Sequence, residues 1–145
     1  MRQRVLCIED DQECARLIAE ELSDWGFEVR IAYNGEEGVA VIERQWPDLV
    51  LCDICMPGMS GYDVLKRSTA LAPRFGKVPF VFLTALTERD KELKARQLGA
   101  DGYITKPIDF DVLAAITTAQ FPIKSNAVVA PMDVIGASAL GLSLA

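Results

Sequence analysis

Short, mostly continuous apolar runs alternate with stretches of helical period along most of this chain. The runs fall at residues 5–8, 29–32, 49–52, 79–83 and 103–105. Continuous rather than alternating hydrophobicity suits strands covered on both faces of a parallel sheet. Between them, Ala15, Ile18, Leu22 and Trp25 mark one apolar helical face, and Gly26 supplies a stop. Asn34 is placed to cap a second helix, with Glu37 at the third position of a capping-box-like arrangement. A third helix is predicted over 62–71, after the turn at 57–61. Thr87 can cap a fourth ending near Leu98 and Gly99, and Asp109 a fifth over 110–119. Five β-α units of this kind, joined by right-handed crossovers, put helices on both faces of the sheet. The predicted fold class is therefore α/β, a single doubly wound five-stranded parallel sheet with five helices.

The fourth predicted helix is unlike the others. Glu88, Arg89, Asp90, Lys91, Glu92, Lys94 and Arg96 leave only Leu93, Ala95 and Leu98 for core contact. It reads either as a solvated helix laced by ion pairs or as a loosely docked element that presents a partner surface. After Pro122 the composition changes again, and residues 125–145 carry a single charge, Asp133. The expected division is a domain over 1–121 and an apolar C-terminal tail over 122–145. That tail could pack on its own domain, pair with another copy, or mark where a longer protein was cut.

The totals narrow the chemistry. At 145 residues, half of them apolar, the chain suffices for one domain with one core. The net charge is −6 with no basic stripe, so no nucleic-acid partner is expected. No signal-like segment or apolar run of roughly 18 residues is present, which predicts a cytoplasmic protein without a membrane span. The sequence contains no histidine, which removes histidine-based triads, histidine-ligated zinc and a histidine phosphoacceptor within these residues. Cys52 and Cys55 form a C-x-x-C without a second pair to complete a zinc site. Cys52 ends an apolar strand rather than opening a helix, so a thioredoxin-like pair is disfavoured.

What remains is carboxylate, lysine and hydroxyl chemistry, and it gathers at strand ends. Glu9, Asp10 and Asp11 follow the first run, Asp53 the third, Thr84 the fourth, and Lys106-Pro107 the last. In an open α/β sheet those ends converge on one edge, where ligands bind. Three carboxylates make a cage for a hard cation, and a lysine with a hydroxyl makes an oxyanion clamp. Together they describe a metal-assisted phosphoryl site with Asp53 as nucleophile. Each residue alone has an ordinary explanation: Asp10 or Asp11 as a helix cap, Lys106 as a surface lysine, Thr84 as a β-branched strand residue.

Four segments in order, at 7–11, 47–62, 83–85 and 99–107, resemble the response-regulator receiver domain of bacterial two-component systems. The resemblance covers about residues 4–120 and implies a flavodoxin-like receiver fold. It also implies that Asp53 takes a phosphoryl group from a phosphohistidine of a histidine kinase or histidine phosphotransfer protein. In that family pattern Asp10 and Asp53 bind Mg²⁺ directly, Glu9 acts mostly through water, and the Cys55 backbone carbonyl adds a ligand. Lys106 and the Thr84 hydroxyl would contact phosphoryl oxygens. Pro107 matches the family's cis-proline, and Tyr103 the aromatic that turns inward with Thr84. The output face would be the fourth helix, last strand and fifth helix, binding a downstream protein or a second copy.

Three other functions compete with this reading. An aspartyl-phosphate phosphatase of the haloacid-dehalogenase type needs a general acid where Cys55 stands. A flavodoxin-like flavin or nucleotide binder needs a phosphate loop where Glu9, Asp10 and Asp11 repel phosphate. A degenerate receiver acting only as a binding module would usually lack the aspartate, the acidic pair or the lysine, all present here. An active switch with slow self-dephosphorylation is expected, because neither Cys55 nor Leu86 is suited to orient an attacking water.

Overall fold

A computed structural model describes residues 2–85, 96 and 98–121. The elements run β1 (Arg4–Ile8), α1 (Gln12–Asp24), β2 (Glu28–Ala32), α2 (Gly35–Arg44), β3 (Leu49–Asp53), α3 (Gly61–Phe75), β4 (Phe80–Thr84), β5 (Gly102–Thr105) and α4 (Phe110–Ala119). All five strands pair in parallel, in the order β2-β1-β3-β4-β5. The sheet is the expected doubly wound, flavodoxin-like one. The fourth predicted helix, with Thr87, and the 122–145 tail lie outside the described residues. Among the described residues no helix is long and apolar enough to cross a membrane.

The chain divides into two compact units, Met1–Ala114 and Ala115–Ala145, with the break inside α4. The first holds the sheet, α1 to α3 and the start of α4. In the second, the described residues carry α4 to Ala119. There the Gln120 N–H donates to the Thr117 carbonyl and the Phe121 N–H to that of Thr118, both at 3.1 Å.

The sheet's centre is apolar on both sides, as continuous runs require. Leu6, Ile8, Val50, Cys52, Phe80 and Phe82 join Val39 and Ile42 of α2 and Val64 and Leu65 of α3 in one buried cluster. Alternate residues point to opposite faces, so Val5, Cys7, Leu49, Leu51, Val81 and Leu83, also buried, serve the other face. That is the side of α1, whose Ala15, Ile18 and Leu22 are buried. The edge strands depart from the expectation: β2 alternates exposed and half-buried before Ala32, and β5 buries only Ile104. An edge strand lacks a neighbour on one side, so fewer atoms cover it.

The caps form largely as predicted. Asp11, rather than Asp10, caps α1 by accepting from the Cys14 N–H at 3.1 Å. Asn34 accepts from the Glu37 N–H at 2.8 Å, while Glu37 reaches back one residue further than a capping box would, to the Tyr33 N–H. Asp109 accepts from Asp111 and Val112 at the start of α4. Two expectations need correction. Trp25 does not continue the buried stripe: it is the C-cap of α1, 39 % exposed, and the chain turns away at Gly26, whose φ of +98° suits glycine. Helix α3 does not stop near Leu71 but runs through Pro73 to Phe75. A proline in the last turn removes only one helical hydrogen bond there.

Candidate functional site

Strand order reverses between β1 and β3, the point where doubly wound sheets bind ligands. Glu9 and Asp10 follow β1 and Asp53 ends β3, so their carboxylates meet at that crevice. One oxygen from each lies within 4.8 Å of the others. Glu9 is fully buried, Asp53 is 5 % exposed, and Asp10 is open to solvent. The backbone fixes Glu9: its N–H donates to the Ala32 carbonyl at 2.9 Å, and its Oε2 accepts from the Asp11 N–H at 3.1 Å.

The Lys106 ammonium enters from the end of β5. Its Nζ lies 2.7 Å from Glu9 Oε1 and 3.3 Å from Asp53 Oδ2. At 2.7 Å the contact with Glu9 is a close ion pair, shorter than the one with Asp53. The Lys106 N–H donates to the Thr84 carbonyl at 2.7 Å, and the Lys106-Pro107 bond is cis, as the family resemblance implied. Thr84 ends β4 opposite Thr105 and is buried. Tyr103 pairs with Phe82 in register and packs half-buried against the main cluster. Cys55 is exposed in the following loop, and its N–H donates to Asp53 Oδ1 at 3.3 Å.

Electrostatics follows from this crowding. Burial, and then the negative charge of Glu9, push the Asp53 carboxyl from 3.8 to about 7, against the opposing pull of Lys106. Burial works to lower the Lys106 pKa, but the contact with Glu9 and the charge of Asp53 outweigh it and hold it above 10.5. One lysine therefore only partly offsets three carboxylates. A buried aspartate that resists ionisation beside an oxygen-rich, solvent-reached cluster fits a small hard divalent cation. The buried Cys7 and Cys52 thiols are pushed up, chiefly by burial, which marks them as unreactive. All four cysteines are free.

Asp53, Glu9, Asp10, Lys106 and the Cys55 backbone thus come together. Thr84 and Pro107 stand beside them, while Leu86 lies outside the described residues. Sequence reading gave Lys106 only a phosphoryl oxygen as partner and missed that it pairs with both Glu9 and Asp53. It also missed that Gly61 lies against the backbone of Asp53: a Cβ at Gly61 would come 2.3 Å from the Asp53 carbonyl oxygen. The lysine pairing had a signal in the converging strand ends; the glycine contact had none before the tertiary structure.

Comparison with known proteins agrees with this geometry. The response regulator receiver domain family matches residues 5–118. The transcriptional regulatory protein DltR of Streptococcus agalactiae is 39 % identical over 112 residues, covering 77 % of this chain and 49 % of its own. ZraR, a transcriptional regulatory protein of Salmonella typhimurium, is 35 % identical over 109 residues, 75 % of this chain and 24 % of its own. The chain therefore spans about half, or less, of these relatives' length. Among solved structures, a putative response regulator from Chloroflexus aurantiacus superposes with a TM-score of 0.76 at 29 % identity, covering 83 % of this chain and 98 % of that one. The chemotaxis protein CheY4 of Vibrio cholerae gives 0.75 at 26 % identity, covering 82 % and 98 %. By sequence, fold and the carboxylates gathered at the β1/β3 crevice, the chain belongs to the response regulator receiver domain family.

Proposed function

We propose that Asp53 is the phosphoacceptor of a two-component phosphorelay and that its phosphorylation switches a partner surface. The observation that carries this is the placement of Asp53 at the strand-order reversal, between the acidic pair Glu9 and Asp10 and the ammonium of Lys106. An Asp53 carboxylate oxygen attacks phosphorus of a phosphohistidine on a histidine kinase or phosphotransfer protein. The P–N bond breaks, its electron pair stays on the imidazole, and that nitrogen is protonated. Phosphoryl transfer asks a protein mainly for alignment and charge neutralisation. Lys106 is positioned to leave the carboxylates for a phosphoryl oxygen, and the Thr84 hydroxyl to donate to another.

Glu9, Asp10 and Asp53, with the Cys55 carbonyl, would hold Mg²⁺, Glu9 mostly through water. A bound Mg²⁺ supplies neutralisation of phosphoryl-oxygen charge. The chain's own chemistry is limited to Mg²⁺-dependent self-phosphorylation and slow self-dephosphorylation, as befits a signalling protein rather than a classical enzyme. Signal output would follow a population shift coupling Thr84 to Tyr103. We assign the receiver to 1–121 and leave the output to a protein partner or a second copy.

Incubation with acetyl phosphate and Mg²⁺ tests the reading. The intact mass should rise by one phosphoryl group, the label should be released by hydroxylamine, and Asp53→Asn should acquire none. An equally labelled Asp53→Asn protein would show that the nucleophile lies elsewhere.

A further inference from the structure

The loop between β3 and α3, residues 54–60, brings the Cys55 N–H to Asp53 Oδ1. Two glycines hold it where a side chain would displace it. At its far end the Gly61 N–H donates to the Ile54 carbonyl at 2.9 Å, and a Cβ on Gly61 would fall 2.9 Å from Ile54 Cα. Nearer its middle, Met59 sits on Gly35, the first residue of α2. A Cβ on Gly35 would lie 2.8 Å from Met59 Cβ and 3.0 Å from the Met59 carbonyl oxygen. Rotating the methionine cannot relieve a contact that involves its backbone, so the loop itself would have to move.

Nothing in α2 asks for glycine at this position. Gly35 is buried, its φ is not positive, and Asn34 already caps the helix. Alanine is the better helix former. The requirement is space for the loop. We infer that Gly35 is a positioning residue of the phosphoacceptor site: it lets the 54–60 loop seat on α2 and thereby places the Cys55 backbone beside Asp53. This rests on the assignment of Asp53 as phosphoacceptor. Helix α2 contributes no carboxylate to the cluster of Glu9, Asp10 and Asp53, yet its first residue sets where one wall of that site stands.

The test uses the full chain as wild type, Gly35→Ala, Met59→Gly and the double variant, each shown to be folded by urea titration at the working temperature. Amide exchange over residues 54–61 is measured without metal, and the acetyl phosphate reaction with Mg²⁺. Gly35→Ala should speed exchange at the Cys55 and Gly61 amides and slow phosphorylation by roughly tenfold, less than the hundredfold that a misplacement of about 1 Å can cost. The double variant should lie between Gly35→Ala and Met59→Gly, because the side-chain overlap is gone and the carbonyl contact remains. Should Gly35→Ala fail to fold, the double variant against Met59→Gly carries the same comparison, and equal rates would overturn the inference. So would wild-type kinetics in folded Gly35→Ala, or slowed kinetics with unchanged exchange. If the wild type takes no label, the Asp53 assignment fails, and exchange alone decides whether Gly35 seats the loop.

Discussion

At Asp53 the fold holds a carboxyl in a place that penalises its charge. With its pKa near 7 in the folded protein and 3.8 ordinarily, the folded state binds the extra proton between those values. Metal-free stability should therefore fall as pH rises from about 4 to about 7. Lys106, raised rather than lowered, contributes stability below pH 10.5 that is lost only above it, so it leaves this window unchanged. Asp53→Asn removes the penalty: urea unfolding without metal should show a flatter profile and a more stable variant at pH 8, by roughly 1–3 kcal/mol. An unchanged slope would mean that Lys106 already neutralises the site. Cys55 governs a second property. It stands exposed two residues beyond Asp53 with no strong group to orient water, so Cys55→Asn should speed loss of the phosphoryl label. A slower or unchanged decay would contradict that role.

Elements were more legible in the sequence than the contacts between them. Strand positions could be read because a strand buried on both faces must be apolar along its covered length, as residues 5–8, 49–52 and 80–83 are; Asp109 and Asn34 were placed by local hydrogen-bond chemistry, and the acidic pair by its position at a strand end. Trp25 was misread because periodicity carries no mark of where a chain turns away. The span of α3 past Pro73 was missed because a proline is costly only where its lost hydrogen bond is needed. Converging strand ends signalled that Lys106 would lie near the carboxylates but not which one it would pair with, and the seat of Met59 on Gly35 joins residues far apart in sequence, which no local pattern encodes. The caps themselves can be tested. Asn34→Ala should lower stability by about 1 kcal/mol, read as a reduced urea midpoint with unchanged slope. No loss would show that Glu37 and solvent suffice at that helix end.

For the whole molecule, the charged stretch 88–96 and the apolar residues 125–145 frame the question of output. If phosphorylation of Asp53 is read on the face that includes Tyr103, it should alter amide exchange across 86–120, association, or both. Light scattering and exchange on the full chain and on a chain ending at Lys124, with and without acetyl phosphate, measure this. Insensitivity of both chains would place the output elsewhere. All of these outcomes depend on one carboxylate, at the strand-order reversal, carrying the phosphoryl group. Borohydride reduction of the phosphorylated chain converts an aspartyl phosphate to homoserine, which peptide mass spectrometry then locates. Homoserine at position 53 alone, appearing only with Mg²⁺ and the phosphodonor, is the predicted result; homoserine at position 10 or 11, or none anywhere, would contradict it.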